Sequence, residues 1–289
     1  MTSSTRDAVD GAGDALAAAR RGDIQSFYAL YSVFKDDLRS YLYRLVADRD
    51  DADDLAQETF VRAFERIGTF EERASLKTWV FTIATHLAID ILRHRRRWPT
   101  DVLDRAREEA AAHVEVRQYL AAVNAAGPQA AFEIQEHIDF CFTCISKTLM
   151  LEAQVALLLR DVYRFRTREV ATIMAIGEGA VKHHVHRARR TMAEVFDSRC
   201  ALVRQEGPCH QCSQLNGWLN PKQAAQEALV SIDMVRAATH ANRERLLVLR
   251  ERLVRGINPL AASGSDLHEA FFSLHRYCVG EVRALKRVP

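Results

Sequence analysis

The sequence predicts an all-α protein: two helical domains joined by a linker, followed by a helical C-terminal extension. Three observations predict it. Glycine and proline are scarce, at 12 and 6 of 289 residues, so few positions break a helix. Apolar residues recur at three- and four-residue steps over long stretches rather than alternating. Where that periodicity lapses the chain turns small, polar or proline-bearing, as in "NAAGPQAA". A hydrophobic content of 48% over this length suffices for two or three modest cores.

Residues 1–22 are small and polar and read as a flexible N-terminus. A first unit, 23–98, carries three helical patterns, "FYALYSVFKDDLRSYLYRLV", "LAQETFVRAFERI" and "TWVFTIATHLAIDILRHRRR". The third is expected to run up to Pro99, with Arg93, Arg95, Arg96 and Arg97 suiting the negative end of its dipole. Residues 99–131 read as a partly helical linker, and 132–198 as a second compact unit. The extension, 199–289, opens on a cysteine-bearing loop. A long amphipathic helix over about 221–255 then points Leu229, Ile232, Val235, Leu246, Leu249 and Leu253 inward. In the last helix, "DLHE" offers Asp266 as cap with Glu269 three positions on.

Net charge is only +2, so any nucleic-acid signal must be local. No stretch of about 18 apolar residues suggests a membrane span, and the N-terminus lacks a basic head followed by an apolar run. A cytoplasmic location is expected. There the six cysteines read as metal ligands or redox switches rather than as a disulfide framework.

The second unit contains "TREVATIMAIGEGAVKHHVHRARRTMAEVF". A short helix carries Val170, Ala171, Ile173 and Met174 inward, "IGEG" supplies a turn, and a second helix puts Ala180, Val181, Val185, Ala188 and Met192 on one face. This is the pattern of a helix-turn-helix. Lys182, His183, His186 and Arg187 then lie outward, with His184 at the margin. Such a surface neutralises phosphates and donates to base edges. Two other readings stay open: a solvated basic face, and a metal site at the histidines, against which the flanking arginines count.

The stretch from "DDADDLAQETF" to "LAIDILRHRRR" resembles region 2 of the extracytoplasmic-function (ECF) sigma factors of bacteria, and "LEAQVALLLRDVYRFRTREVATIMAIGEGAVKHHVHRARRTM" resembles their region 4. The two occur in family order. The resemblance implies that region 2 binds the β′ clamp helices of core RNA polymerase and opens the −10 element of promoter DNA. Region 4 would sit on the β flap and read the −35 element through Lys182, His183, His184, His186 and Arg187. Asp51, Asp53, Asp54, Gln57, Glu58 and Phe60 would form the polymerase-binding surface, for which a solvated acidic helix start is the alternative. Trp79, His86, Arg93, Arg95, Arg96 and Arg97 would serve the −10 element, unless Trp79 is core and the arginines only a helix-end charge run. His86 stands where the family usually has Asn. Arg166 replaces the usual Ser or Thr cap of the first helix, so that Thr167 is expected to take over, and Leu149-Met150 replaces Leu-Pro.

About ninety residues extend beyond region 4. Cys141 and Cys144 fall one turn apart in "CFTC", and Cys209 and Cys212 in "CHQC". The four suit one structural or regulatory zinc ion that staples the extension to region 4, with Cys200 or His210 as substitutes. Redox switching and plain burial are the alternatives. Cys278 reads as buried, and His268 and His275 as a packed or solvated pair. The extension is expected to regulate the sigma regions in cis, with a separate anti-sigma factor left open as a further partner. No P-loop, G-x-S-x-G or HExxH motif suggests an enzyme. The competing function is a metal- or redox-responsive helix-turn-helix regulator acting without the polymerase.

Overall fold

The computed structural model describes residues 13–126, 134–199, 243–261 and 265–285. Every regular element among them is helical. The N-terminus departs from expectation: 13–20 is helical, Ala19 is buried, and Arg20 pairs with Glu72 at 2.9 Å.

The first predicted helical stretch is two helices, α1 (Ile24–Ser32) and α2 (Lys35–Val46), parted at Val33 and Phe34. Asp23 caps α1 by accepting from the Gln25 amide at 3.1 Å. Ala47, at φ 56°, turns the chain out of α2, and Asp48 starts α3 (Arg49–Glu65) by accepting from the amides of Asp50 and Asp51. Ser75 caps α4 (Leu76–Arg93) through the Thr78 amide at 3.1 Å. These helices close over an aromatic core in which Phe27 meets Phe60 and Phe64, and Tyr41 meets Phe81.

Helix α4 stops at Arg93, short of the predicted end. The residues that follow are taken by the second unit: Arg97 Nε donates to the Leu149 carbonyl at 2.7 Å, and the Trp98 amide to the Lys147 carbonyl at 3.4 Å. The residue before a proline also disfavours helix.

The stretch expected to be a linker forms α5 (Val102–Ala112) and α6 (Val114–Ala126), and it buries Val102, Ala106, Ala110, Val116 and Leu120. The second unit follows with α7 (Ile134–Ser146) and α8 (Leu151–Leu157), the latter running into a π turn over Leu158–Val162. A short helix, α9 (Thr167–Met174), and a long one, α10 (Glu178–Arg199), complete it. In the extension, α11 (Arg243–Arg255) and α12 (Ser265–Cys278) are described.

Residues 221–242 of the expected long helix lie outside the described residues. Of the inward residues expected in α11, Leu253 is half-buried and the side chains of Leu246 and Leu249 lie outside those described; Leu247, Arg250, Glu251 and Val254 are buried. Arg250 is buried because its guanidinium covers the Phe196 ring at 4.3 Å. Helix α12 starts at Ser265, so Asp266 lies in its first turn rather than at the cap, where it pairs with Arg49 at 2.9 Å.

The extension fills the space between the two units. Helix α11 packs on α7 and α10, α12 packs on α5 and α6, and α9 packs directly on α4. Buried charges tie the three parts together. Arg44 in α2 donates to Asp139 in α7, to the Tyr163 hydroxyl at 2.5 Å, and to the carbonyls of Val254 and Ile257. Burial alone would lower the pKa of this guanidinium, but Asp139 and Tyr163 outweigh burial and hold it above its ordinary value. The last carbonyls of α2 receive two more cations. Lys147 donates to Leu45 and Val46, and Arg276 to Ala47, which suits the negative end of a helix. Burial pulls the Lys147 ammonium down to about 7.

Candidate nucleic-acid interface

Helices α9 and α10 form the helix-turn-helix. Val170, Ile173 and Met174 are buried and Ala171 is half-buried. From α10, Val181, Val185, Ala188 and Met192 are buried as expected. Ala180 is exposed, because it lies in the first turn of α10, beyond the edge of the packed face. The start of α9 also differs from expectation. The Glu169 carboxylate reaches back to accept from the Arg166 amide at 2.7 Å, so the glutamate three positions on does the capping rather than Thr167. The left-handed residue of the turn is Ala175, at φ 53°, and not a glycine.

With that inner face fixed, Lys182, His183, His186 and Arg187 are exposed along one side of α10, and His184 is half-buried beside His183, with ring centroids 5.9 Å apart. The helix is held in place by a residue that the sequence reading passed over. Arg189 grips the buried Asp161 of the π turn through two hydrogen bonds, at 2.8 and 2.5 Å. An aspartate inside the apolar "LLLRDVY" was the available signal, because a buried carboxylate requires a partner.

The expected −10 residues divide. His86, Arg93 and Arg96 are exposed. Trp79 is half-buried and packs on Phe70, with ring centroids 5.4 Å apart. Arg95 pairs with Asp51 at 2.7 Å. Arg97 is held by Leu149 and by the Gln154 side chain, the latter at 2.7 Å. In this conformation two of the four arginines are therefore engaged inside the protein.

The acidic surface of α3 is similarly mixed. Asp54 and Gln57 are exposed, Asp53 is bridged by both ends of the Arg39 guanidinium, and Glu58 pairs with Arg62 at 2.5 Å. Phe60 is half-buried against Phe27 and Tyr31. Exposed Tyr28 meets Phe60 edge-on, with ring centroids 6.3 Å apart, and Val61 of α3 is also exposed.

Cys141 and Cys144 lie buried in α7, while Cys200, Cys209, His210 and Cys212 fall outside the described residues. Cys144 Sγ is 3.8 Å from His275 Nδ1. His275 and His268 are both buried, stacked on Phe140 at 5.7 and 5.3 Å. Burial pulls the His275 imidazole down to about 3. Cys278 is half-buried, and burial pushes its thiol up to about 11.

Comparison with known proteins places these surfaces in a family. Residues 30–98 match the sigma-70 region 2 family and residues 143–192 the sigma-70 region 4 family. Neither match covers 193–289. The chain is 29% identical over 191 residues to the ECF RNA polymerase sigma factor SigG of Mycobacterium tuberculosis, covering 63% of this chain and 51% of SigG. It thus spans about half the length of that relative. It is 28% identical over 196 residues to the ECF sigma factor SigX of Bacillus subtilis, covering 63% of this chain and 87% of SigX. Among solved structures, the sigma factor RpoE of Bartonella quintana, in complex with the anti-sigma factor NepR, is 21% identical over 60% of this chain and 98% of its own, with a TM-score of 0.43. CnrH, in complex with the cytosolic domain of CnrY, is 18% identical over 65% of this chain and 97% of its own, with a TM-score of 0.47. Sigma-70 regions 2 and 4 are thus both matched, in family order, over residues 30–98 and 143–192, and ECF sigma factors are among the relatives.

Proposed function

We propose that the chain is a transcription initiation factor: it binds core RNA polymerase, reads the −35 element with α10 and opens the −10 element with region 2, leaving nucleotide transfer to the polymerase. The observation that carries this reading is the outward row Lys182, His183, His186 and Arg187 on a helix whose opposite side is buried, within a region 4 match that follows a region 2 match. The exposed Asp54 and Gln57, with exposed Val61 at helical spacing from both, support α3 as the polymerase-facing surface. Co-purification with core polymerase, followed by promoter-dependent transcription with the purified pair, tests the reading. Duplex binding without polymerase association would favour a regulator that acts alone.

The extension is proposed to regulate this activity in cis. Arg95 and Arg97, two expected phosphate contacts, are engaged internally while α11 and α12 bridge the sigma regions. Removing 200–289 outright would uncover Tyr43, Trp98 and Phe140, on which α12 packs. Arg276→Ala, which loosens α12 from Asp48 and Ala47, is the gentler test.

A zinc ion shared by Cys141, Cys144, Cys209 and Cys212 is proposed to staple the extension to region 4. Both described thiols lie on α7 in a stretch that also faces α12. Elemental analysis of the protein and of a Cys209→Ser/Cys212→Ser variant tests it. About one zinc per chain, lost in the variant, is the expected result.

A further inference from the structure

A cleft of about 650 Å³ opens where region 2, region 4 and the extension meet. Its walls include Asp36 and Asp37 from α2, Arg164 after the π turn, and Arg252, Arg255 and Asn258 from the end of α11. Small-molecule sites typically enclose about 300–1,000 Å³ and hold a few convergent polar groups.

One wall of this cleft is crowded with cations. Among the described residues, neither Arg164 nor Arg252 forms an ion pair. Arg255 donates to the Asp161 carbonyl and meets Glu251 at 3.5 Å. Its guanidinium is pulled below its ordinary value first by burial and next by the like charge of Arg164, with Arg252 adding to the effect. An anion between the three would relieve that repulsion.

Arg164 takes the left-handed conformation, φ 61°, that closes the π turn, as Ala47 and Ala175 close α2 and α9, and it lines the cleft from there. The lining from α2 carries Asp36 and Asp37 together with Arg44, whose guanidinium is taken by Asp139: Asp37 pairs with Lys77 at 2.6 Å, whereas no described residue forms an ion pair with Asp36.

We propose that this cleft binds a phosphorylated small molecule, its phosphate among Arg164, Arg252 and Arg255 and a hydroxyl or amino group turned toward Asp36. Because the walls come from all three parts of the chain, such a ligand favours the arrangement in which the extension bridges the sigma regions. The proposal rests on the cleft and not on the promoter reading, so it survives if transcription fails.

The test uses the full chain and inorganic pyrophosphate, titrated by calorimetry and by thermal unfolding at constant ionic strength. Saturable binding and a raised Tm are expected with pyrophosphate and not with sodium chloride. Arg252→Ala should weaken binding at least tenfold. Arg164→Gly should do the same while raising the Tm of the ligand-free protein, which separates lost binding from lost folding. Lys182→Ala should leave pyrophosphate binding intact. Absence of saturable binding, or equal binding by the Arg252→Ala and Arg164→Gly variants, would overturn the proposal. So would an equal loss of duplex DNA affinity in those variants, which would make the cleft a nucleic-acid contact.

Discussion

Arg44 in α2 donates two hydrogen bonds to one carboxylate oxygen of Asp139 in α7, at 3.1 and 2.8 Å, with both side chains buried. A pair like this binds two units together only while both partners remain. Removing one leaves a buried charge uncompensated. Arg44→Met should therefore destabilise the chain by about 3–5 kcal/mol. Asp139→Asn, which keeps a hydrogen-bond acceptor, should cost less. Denaturant midpoints of the two variants give the comparison, and equal small losses would show that the pair adds little to the closed arrangement.

The turn of the helix-turn-helix carries its strain at Ala175 rather than at a glycine. Ala175→Gly should raise stability by about 0.5–1 kcal/mol, because glycine adopts that conformation without steric cost. Gly177 has no positive φ, and a Cβ there would meet nothing within 4 Å. Gly177→Ser should stay within about 0.5 kcal/mol of the parent. Thermal unfolding of both variants is the check, and the reverse ranking would refute the account of the turn.

Along α10, affinity and sequence preference should separate. Lys182→Ala and Arg187→Ala should each weaken duplex binding and, where the residue meets a phosphate, reduce the salt slope by about one. A residue that reads a base edge should instead relax preference at one position of the −35 element. Fluorescence anisotropy over a salt series distinguishes the two, and unaltered binding in both variants would remove α10 from the interface.

His275 makes stability depend on pH. Its imidazole titrates near 3 in the folded chain against 6.5 when free, so the folded state binds fewer protons. The stabilisation is complete above 6.5 and is lost progressively as pH falls toward 3. Across that window the slope from this group approaches about 1.4 kcal/mol per pH unit. His275→Phe retains a ring against Phe140 and Trp98 and removes the titration, so its stability should fall less steeply with acid. Parallel denaturation curves for the two proteins would argue against this assignment.

Much of the fold was legible because helix periodicity is local. Val181, Val185, Ala188 and Met192 needed only their spacing to be placed inward, and the outward Lys182, His183, His186 and Arg187 followed from the same count. What could not be read depends on partners far along the chain. Arg44 and Lys147 look like solvent-facing charges until helices about a hundred positions away surround them. Arg250 of α11 is buried for a similar reason: a guanidinium can cover a ring as an apolar side chain does. Arg95 and Arg97 were expected to face DNA, and only the three-dimensional packing reveals Asp51 and Gln154 competing for them.

The measurement that bears most directly on the account is run-off transcription by core polymerase with the full chain and with Arg276→Ala, after circular dichroism has established that both are folded. The account predicts promoter-dependent transcripts with either protein and more with the variant, because Arg276 joins α12 to Asp48 and Ala47. No transcript from either, with the core active on a control sigma factor, would contradict the proposed function. Equal transcript from the two folded proteins would contradict regulation by the extension.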